Sequence, residues 1–326
     1  MSKLYFPSVN MLRGIAALMV AIYHFTNYLT PKGMLLPEGN VVAKIGEFGA
    51  QGVFIFFVIT GFVIPISLYQ NNFRINKIFK YLYKRWVRIE IPYILSVVFV
   101  IIVSLIFSIK NDEAFNFDFL KFIYHIFYLV EFVGYDWYNI IYWTLAIEFQ
   151  FYIVIAIIFP LLISENNIIK FTSILLFAFS SLIITDNSIV SHYTPIFSQG
   201  IVLFLIKTNK IKITWGGLLI LIFTFLTYYT NGLAIAFFSL FAFFVIAFFN
   251  VNIKIFNKLG NISYSLYLIH GLVGGNIIYF LYRYIDNYYL KLLLILFAIF
   301  VSIISAYIYW KIVENPSKKI SKKIEL

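Results

Sequence analysis

The segment "MLRGIAALMVAIYHF", residues 11–25, is almost wholly apolar, yet it carries Arg13 near one end and His24 near the other. In a helix, eleven steps of about 100° return to within roughly 20° of the start, and at ~1.5 Å per residue they climb about 16 Å. Arg13 and His24 therefore share one face at two depths. The apolar run that holds them, 9–29, meets the ~20 residues that a bilayer crossing needs. No small-residue cleavage site follows it, so it reads as a retained transmembrane helix rather than a signal peptide.

The whole chain has the same character. Of its 326 residues, 62% are hydrophobic and 12% charged, and the mean hydropathy is +0.91. A soluble domain is about 45–50% apolar and about 25% charged, so this is a membrane protein. Cysteine is absent, which excludes disulfides, thiolate metal sites and a cysteine nucleophile.

Working outward from the first span, further candidate spans fall at 46–69, 88–109, 139–163, 168–186, 193–207, 213–229, 232–250, 260–282 and 290–312. The one at 193–207 is short for the usual ~17–25 residues. "FLKFIYHIFYLVEF", 119–132, is too interrupted to count and reads as an interfacial or re-entrant element of an outer loop. Neither an internal repeat nor a low-complexity linker divides the chain. The expectation is one membrane domain over 1–326, an all-α polytopic bundle of about ten transmembrane helices with no appended soluble domain.

The net charge of +11 is explained by placement rather than by nucleic-acid binding. Residues 70–88 hold Arg74, Lys77, Lys80, Lys84, Arg85 and Arg88 and no acid, and further basic loops carry Lys207, Lys210, Lys212, Lys254 and Lys258. The C-terminal tail carries Lys318, Lys319, Lys322 and Lys323. Residues 110–138 instead carry Asp112, Glu113, Asp118, Glu131 and Asp136 against Lys110 and Lys121. Basic and non-basic loops alternate, as the positive-inside bias requires for ten spans with both termini in the cytoplasm.

Ionisable groups inside spans are costly and mark function by default. His24, Glu148 and His270 are the ones here. His24 could equally be a structural histidine bonded to a neighbouring helix. Arg13, at the cytoplasmic edge, could simply snorkel to phospholipid. In "YWTLAIEFQFY", 142–152, Thr144, Glu148 and Tyr152 form a polar stripe at i−4, i and i+4, while Tyr142 and Trp143 would suit an interfacial aromatic belt. "SYSLYLIHG", 263–271, puts Ser263, Tyr267 and His270 on one face, with Gly271, Gly274 and Gly275 permitting close helix approach. Thr60–Gly61 in mid-span suggests tight packing. Arg85 and Arg88, three residues apart, are either membrane anchors or a guanidinium pair suited to phosphate. His125 and His192, outside the spans, read as surface or interfacial residues.

Together these residues resemble acyltransferase family 3, integral-membrane enzymes that include those that O-acylate bacterial surface polysaccharides. Arg13 and His24 match its Arg-x10-His. "GVFIFFVITGFVI", 52–64, is similar to its Gly-Val-x-x-Phe-Phe-Val-x-Ser-Gly-Phe, with Thr60 for Ser. Arg85 and Arg88 in "KRWVRIEIPY" resemble its Arg-x-x-Arg ahead of a proline, and "WTLAIEFQFY" its Trp-Ser-Leu-x-x-Glu-x-x-x-Tyr. "SYSLYLIH" and "WKIVENP", 310–316, resemble its ninth-span motif and closing Glu-x-Pro. Each motif alone is loose, but six in the same order are specific. Phe54 and Glu90 depart from the common pattern.

The resemblance implies a bacterial cytoplasmic-membrane enzyme that takes an acyl group, usually acetyl, from cytoplasmic acyl-CoA to a sugar hydroxyl. Acetyl-CoA would be a co-substrate, with no bound cofactor and no metal. The expected partners are acyl-CoA, a carbohydrate acceptor and the bilayer, with a homo-oligomer left open. It also implies His24 as the main catalytic residue and Arg13, Arg85 and Arg88 on the donor side. Chemically, His24 can take the acceptor's proton, and Glu148 is the best carboxylate to orient it. Direct transfer and an acyl-histidine intermediate both remain open. Thr60, Trp143, Tyr152, Tyr267 and His270 are candidates for acceptor binding or support. Two alternatives compete. One is a transporter or flippase with a His/Glu proton relay. The other is a metal site of His24, Glu148 and His270, which no short ligand spacing supports.

Overall fold

The computed structural model describes residues 6–250 and 252–324. After α1 (Pro7–Thr26) come a two-residue-strand hairpin, β1 (Leu29–Thr30) and β2 (Gly33–Met34), and then α2 (Val41–Glu47) and α3 (Gly52–Gln70). α4 (Ile78–Lys110), α5 (Phe119–Ile126), α6 (Trp143–Leu162), α7 (Asn167–Phe179), α8 (Thr194–Lys207), α9 (Ile213–Asn231) and α10 (Leu233–Phe248) follow. The chain closes with α11 (Lys254–Asn261), α12 (Ser263–His270), α13 (Asn276–Leu281), α14 (Tyr288–Tyr309) and α15 (Asn315–Lys322). π-helical turns at Gly271–Gly275 and Trp310–Glu314 join α12 to α13 and α14 to α15. The chain is thus an all-α membrane bundle.

Each of the ten expected spans overlaps helix, although 9–29 runs past the end of α1 at Thr26 and 168–186 past the helical turn that ends at Leu182. Among the described residues, seven helical stretches are long and apolar enough to cross a membrane, and Asn167–Leu182 and Leu233–Phe248 are shorter. α8 has 14 residues, about 21 Å at ~1.5 Å per residue, against a hydrocarbon core of about 30 Å. Its brevity has a packing reason. Every residue from Thr194 to Leu205 is buried, because α3, α7, α9 and α10 surround it. Gly61 and Gly200 let it approach α3: a Cβ on Gly200 would lie 2.2 Å from the Val58 carbonyl oxygen, and one on Gly61 2.2 Å from that of Phe197.

Two boundaries differ from the sequence expectation. Residues 78–88 are not loop, because α4 runs unbroken for 33 residues, and Arg85 and Arg88 project from its third turn. The C-terminal tail is not free of the bundle either. It turns through the π segment into α15, where Pro316 occupies the first turn, a position that tolerates a residue lacking an N–H. α15 lies along the start of α4: the Ser317 hydroxyl donates to Val87 O at 2.6 Å and the Ser321 hydroxyl to Lys84 O at 2.9 Å.

The 110–138 connection contains the short α5, too short to cross, with Phe119 and Leu120 exposed. His125 is not the surface residue that the sequence suggests. It is fully buried: its Nδ1 lies 2.8 Å from Lys121 O, and its Nε2 accepts the Tyr138 N–H at 2.9 Å. Burial holds its pKa down to about 4. His192 is half-buried against Tyr193, with ring centroids 4.9 Å apart.

Candidate active site

A cavity of about 420 Å³ lies among the helices, within the usual range for small-molecule sites. Its lining on α3 runs from Val53 to Gln70, about 26 Å of helix at ~1.5 Å per residue. It is therefore long and narrow. On α1 it is lined by Val9, Asn10 and Arg13, and on α4 by Arg85, Arg88 and Ile89. The opposite wall is Thr144, Leu145, Glu148 and Tyr152 of α6, with Tyr264 and Tyr267 of α12.

The three arginines that the sequence singles out come from two helices and converge here. Arg85 is buried, donates from Nη2 to the Ser67 hydroxyl at 3.0 Å, and lies over the rings of Tyr81 and Tyr152 at 5.5 and 5.9 Å. Arg13 and Arg88 form no ion pair with any described residue. Two carboxylates share the cavity wall, Glu148 and Glu314. Glu314 is already engaged: its Oε1 is 3.3 Å from Lys318 Nζ, and its Oε2 accepts the Ser265 hydroxyl at 2.6 Å and the Ser265 N–H at 3.2 Å. The cavity thus holds a surplus of fixed positive charge, the condition for binding a polyanion in a site shielded from salt.

Glu148 is not the partner of His24. Its Oε1 accepts the Thr60 hydroxyl at 2.9 Å and also the Tyr152 hydroxyl. Thr60, Glu148, Tyr152 and Arg85 form one connected polar cluster along the cavity. At the far end, the Thr144 and Tyr267 hydroxyls bond each other at 2.6 Å, and Tyr267 also donates to Ile141 O at 3.0 Å. Beyond this closure lie His270 and His24, outside the cavity lining. The Tyr267 and His270 rings are 6.2 Å apart, centroid to centroid, and those of His270 and His24 are 5.2 Å apart. His24, half-buried, thus stands two ring contacts beyond the wall that ends the arginine-lined space.

A family model described as an acyltransferase domain, Acyl_transf_3, matches residues 6–311. The chain belongs to acyltransferase family 3. No curated protein and no solved structure matches it. The matched range spans every residue that lines the cavity except Glu314. It is a membrane acyltransferase, and an acyltransferase must bring an acyl donor and an acceptor together.

The remaining expectations divide. Thr60, Tyr152 and Tyr267 line the acyltransferase's cavity, whereas Trp143 turns away and packs on Tyr193 at 5.7 Å between ring centroids. His24, Glu148 and His270 do not converge, and no cluster of three or more His, Cys, Asp or Glu among the described residues is placed to hold a metal. Glu90, the departure on α4, is buried with Oε1 unpartnered among the described residues. Sequence reasoning gave no role to Ser67, Asn10 or Glu314. The Glu-x-Pro at the chain end was a signal for Glu314, but nothing local marks Ser67 or Asn10.

Proposed function

We propose that this acyltransferase moves an acyl group, acetyl in the simplest case, from acyl-CoA to a hydroxyl of a cell-surface polysaccharide or its lipid-linked sugar precursor. The observation that carries the proposal is the long cavity with Arg13, Arg85 and Arg88 at one end and His24 just past the other. Coenzyme A has this shape and polarity: phosphates at one end, a thioester at the other, and a thin arm between. The guanidiniums would hold the phosphates at the cytoplasmic surface, the side to which the charge alternation assigns both termini. The arm would lie along Thr60, Glu148 and Tyr152. In this scheme Glu148 holds the cavity wall rather than the imidazole.

Thr144 and Tyr267 would part to admit the thioester. The sugar hydroxyl, arriving from the outer side, gives its proton to His24 while its oxygen attacks the thioester carbonyl. The tetrahedral intermediate expels the CoA thiolate, which takes the proton back from His24. The ester, free CoA thiol and neutral histidine result. No covalent enzyme intermediate is needed.

The test is to supply [¹⁴C]acetyl-CoA to inverted membrane vesicles from cells that make the protein. Thiol release together with label in polysaccharide is the expected result. Intact acetyl-CoA would overturn the proposal and favour a transporter with a proton relay.

A further inference from the structure

The His270 ring is fixed by its backbone. Its Nδ1 lies 2.8 Å from Tyr267 O and 3.1 Å from Leu266 O. Carbonyl oxygens only accept, so Nδ1 carries the proton and Nε2 of the neutral ring is a bare lone pair. That Nε2 is buried and has no partner among the described residues, in a side chain with 0% exposure. Buried acceptors of this kind are rare enough to need an explanation.

The surroundings narrow the candidates for a donor. Three rings flank His270: His24 at 5.2 Å, Phe25 at 6.0 Å and Tyr267 at 6.2 Å between centroids. Phe25 has nothing to donate. The Tyr267 hydroxyl is committed to Ile141 O and Thr144. His24 alone among them has an uncommitted N–H, since its ring makes no hydrogen bond to any described residue. Their planes are tilted by 38°, and a 5.2 Å centroid separation is the spacing at which two imidazoles turned edge to edge bring a nitrogen of each within hydrogen-bond distance. The local backbone supports this closeness. His270 ends α12 where the chain enters a π turn, a feature often found at functional positions. In that turn Gly274 leaves room for α1: a Cβ there would stand 2.2 Å from the Phe25 ring.

We infer that His270 is a positioning residue that fixes the tautomer of His24 by accepting a hydrogen bond from its ring N–H at Nε2. The other His24 nitrogen is then held as a lone pair, the form that a general base needs. Without the acceptor, both tautomers of His24 populate and the lone pair faces the substrate only part of the time. The inference rests on His24 being the base of the proposed acyl transfer, but the tautomer can be read without any acceptor sugar.

The experiment uses the full-length protein in lipid nanodiscs with ¹⁵N-labelled histidine, the four rings being assigned by single substitutions. In the unaltered protein, His270 should show protonated Nδ1 and a hydrogen-bonded, unprotonated Nε2, and His24 a single tautomer. His270→Phe should give mixed His24 tautomers and a loss of about 10²-fold in kcat for CoA release from acetyl-CoA in inverted vesicles, with KM for acetyl-CoA little changed. His270→Gln, whose carboxamide oxygen can accept the same bond, should restore one tautomer and return kcat to within about tenfold. A protonated Nε2 on His270 in the unaltered protein would overturn the inference with no variant at all. So would an unchanged His24 tautomer in His270→Phe, or a His270→Gln protein as defective as His270→Phe by both readouts. If His24→Ala keeps full turnover while the tautomer coupling holds, the base assignment fails and the positioning contact stands.

Discussion

In His125 both ring nitrogens are spent. Nδ1 is held by Lys121 O at 2.8 Å, Nε2 takes the Tyr138 N–H at 2.9 Å, and the side chain is wholly buried. In His24 neither nitrogen bonds a described residue, the ring is half-buried, and its contacts are the faces of Tyr23 and His270 at 4.9 and 5.2 Å. Both are histidines in the last turn of a helix. The first is a cross-link that shapes a loop, and the second, in the proposed reaction, is the base with its lone pair still to use. The same contrast separates cations. Lys210 is paired with Glu165 at 2.6 Å, whereas Arg13 and Arg88 face the cavity without an ion pair. In a membrane domain, where unmatched polar groups are costly, the uncommitted ones mark where a substrate is expected.

The contrast breaks most easily at His24. His24→Ala should reach wild-type levels in the membrane and bind acetyl-CoA, yet lose about 10²–10⁴-fold in transfer, the usual worth of a general base. Asn should not rescue, since an amide cannot accept a proton near neutral pH. Near-normal acetylation, normalised to protein level, would place His24 with His125 among the structural histidines.

The arginines come next. Hydrogen bonds to charged groups are worth about 1.5–3 kcal/mol, so Arg88→Ala should weaken acetyl-CoA binding by about 10- to 150-fold. Arg88→Lys should recover little of it, because a point charge lacks the forked geometry. Arg85→Ala should do the same and also loosen Tyr152, whose ring lies 5.9 Å beneath the guanidinium. Isothermal titration with acetyl-CoA in detergent reads both. Unchanged affinity would reduce these residues to membrane anchors.

How far these roles were legible depends on what carried each one. The helices were legible because apolar runs of bilayer length leave few alternatives. The start of α4 was not, because hydropathy falls at Lys84, Arg85 and Arg88 while the helix continues, with Arg85 and Arg88 turned into the cavity. The Arg13–His24 face and the Thr144–Glu148–Tyr152 stripe follow from helical period alone. Which helix faces each stripe does not, so Glu148 was matched to His24 when Thr60 and Tyr152 are its partners. Trp143 illustrates the same gap: its position in a motif is readable, but its contact with Tyr193 is tertiary. His125 looked exposed because its burial is created by loop backbone, Lys121 O and Tyr138 N–H, which leaves no periodic trace.

His125 sharpens the comparison from the other side. Removing it leaves the part-buried Tyr138 N–H without its acceptor, at about 1–3 kcal/mol. His125→Ala should therefore speed amide exchange across 110–138 while leaving acetyl-CoA affinity unchanged. pH should mimic it. Burial depresses the folded pKa to about 4 from an ordinary value near ~6.5, so the folded loop binds fewer protons than the unfolded one. Its stabilisation is complete above the ordinary value and falls as pH drops toward the depressed one. Loop protection that does not change between neutral pH and the acid end of that window would break the assignment.

The smallest effect is expected where a cation is already paired in water. Lys210 and Glu165 meet at 2.6 Å, but the glutamate side chain is 88% exposed. The hydrogen bond from Lys210 holds the Glu165 carboxyl below its ordinary pKa, a stabilisation present above the ordinary value and lost as pH falls through the depressed one. Solvent and salt screen such a pair, and holding two long side chains in one geometry costs entropy. Glu165→Gln should therefore leave both the melting temperature and acetyl-CoA binding within measurement error, at low and at high salt. A clear loss of affinity would mean that the connection between α6 and α7 reaches the donor site. Charge–charge pairing would then no longer separate the cations that hold the fold from those that await a ligand.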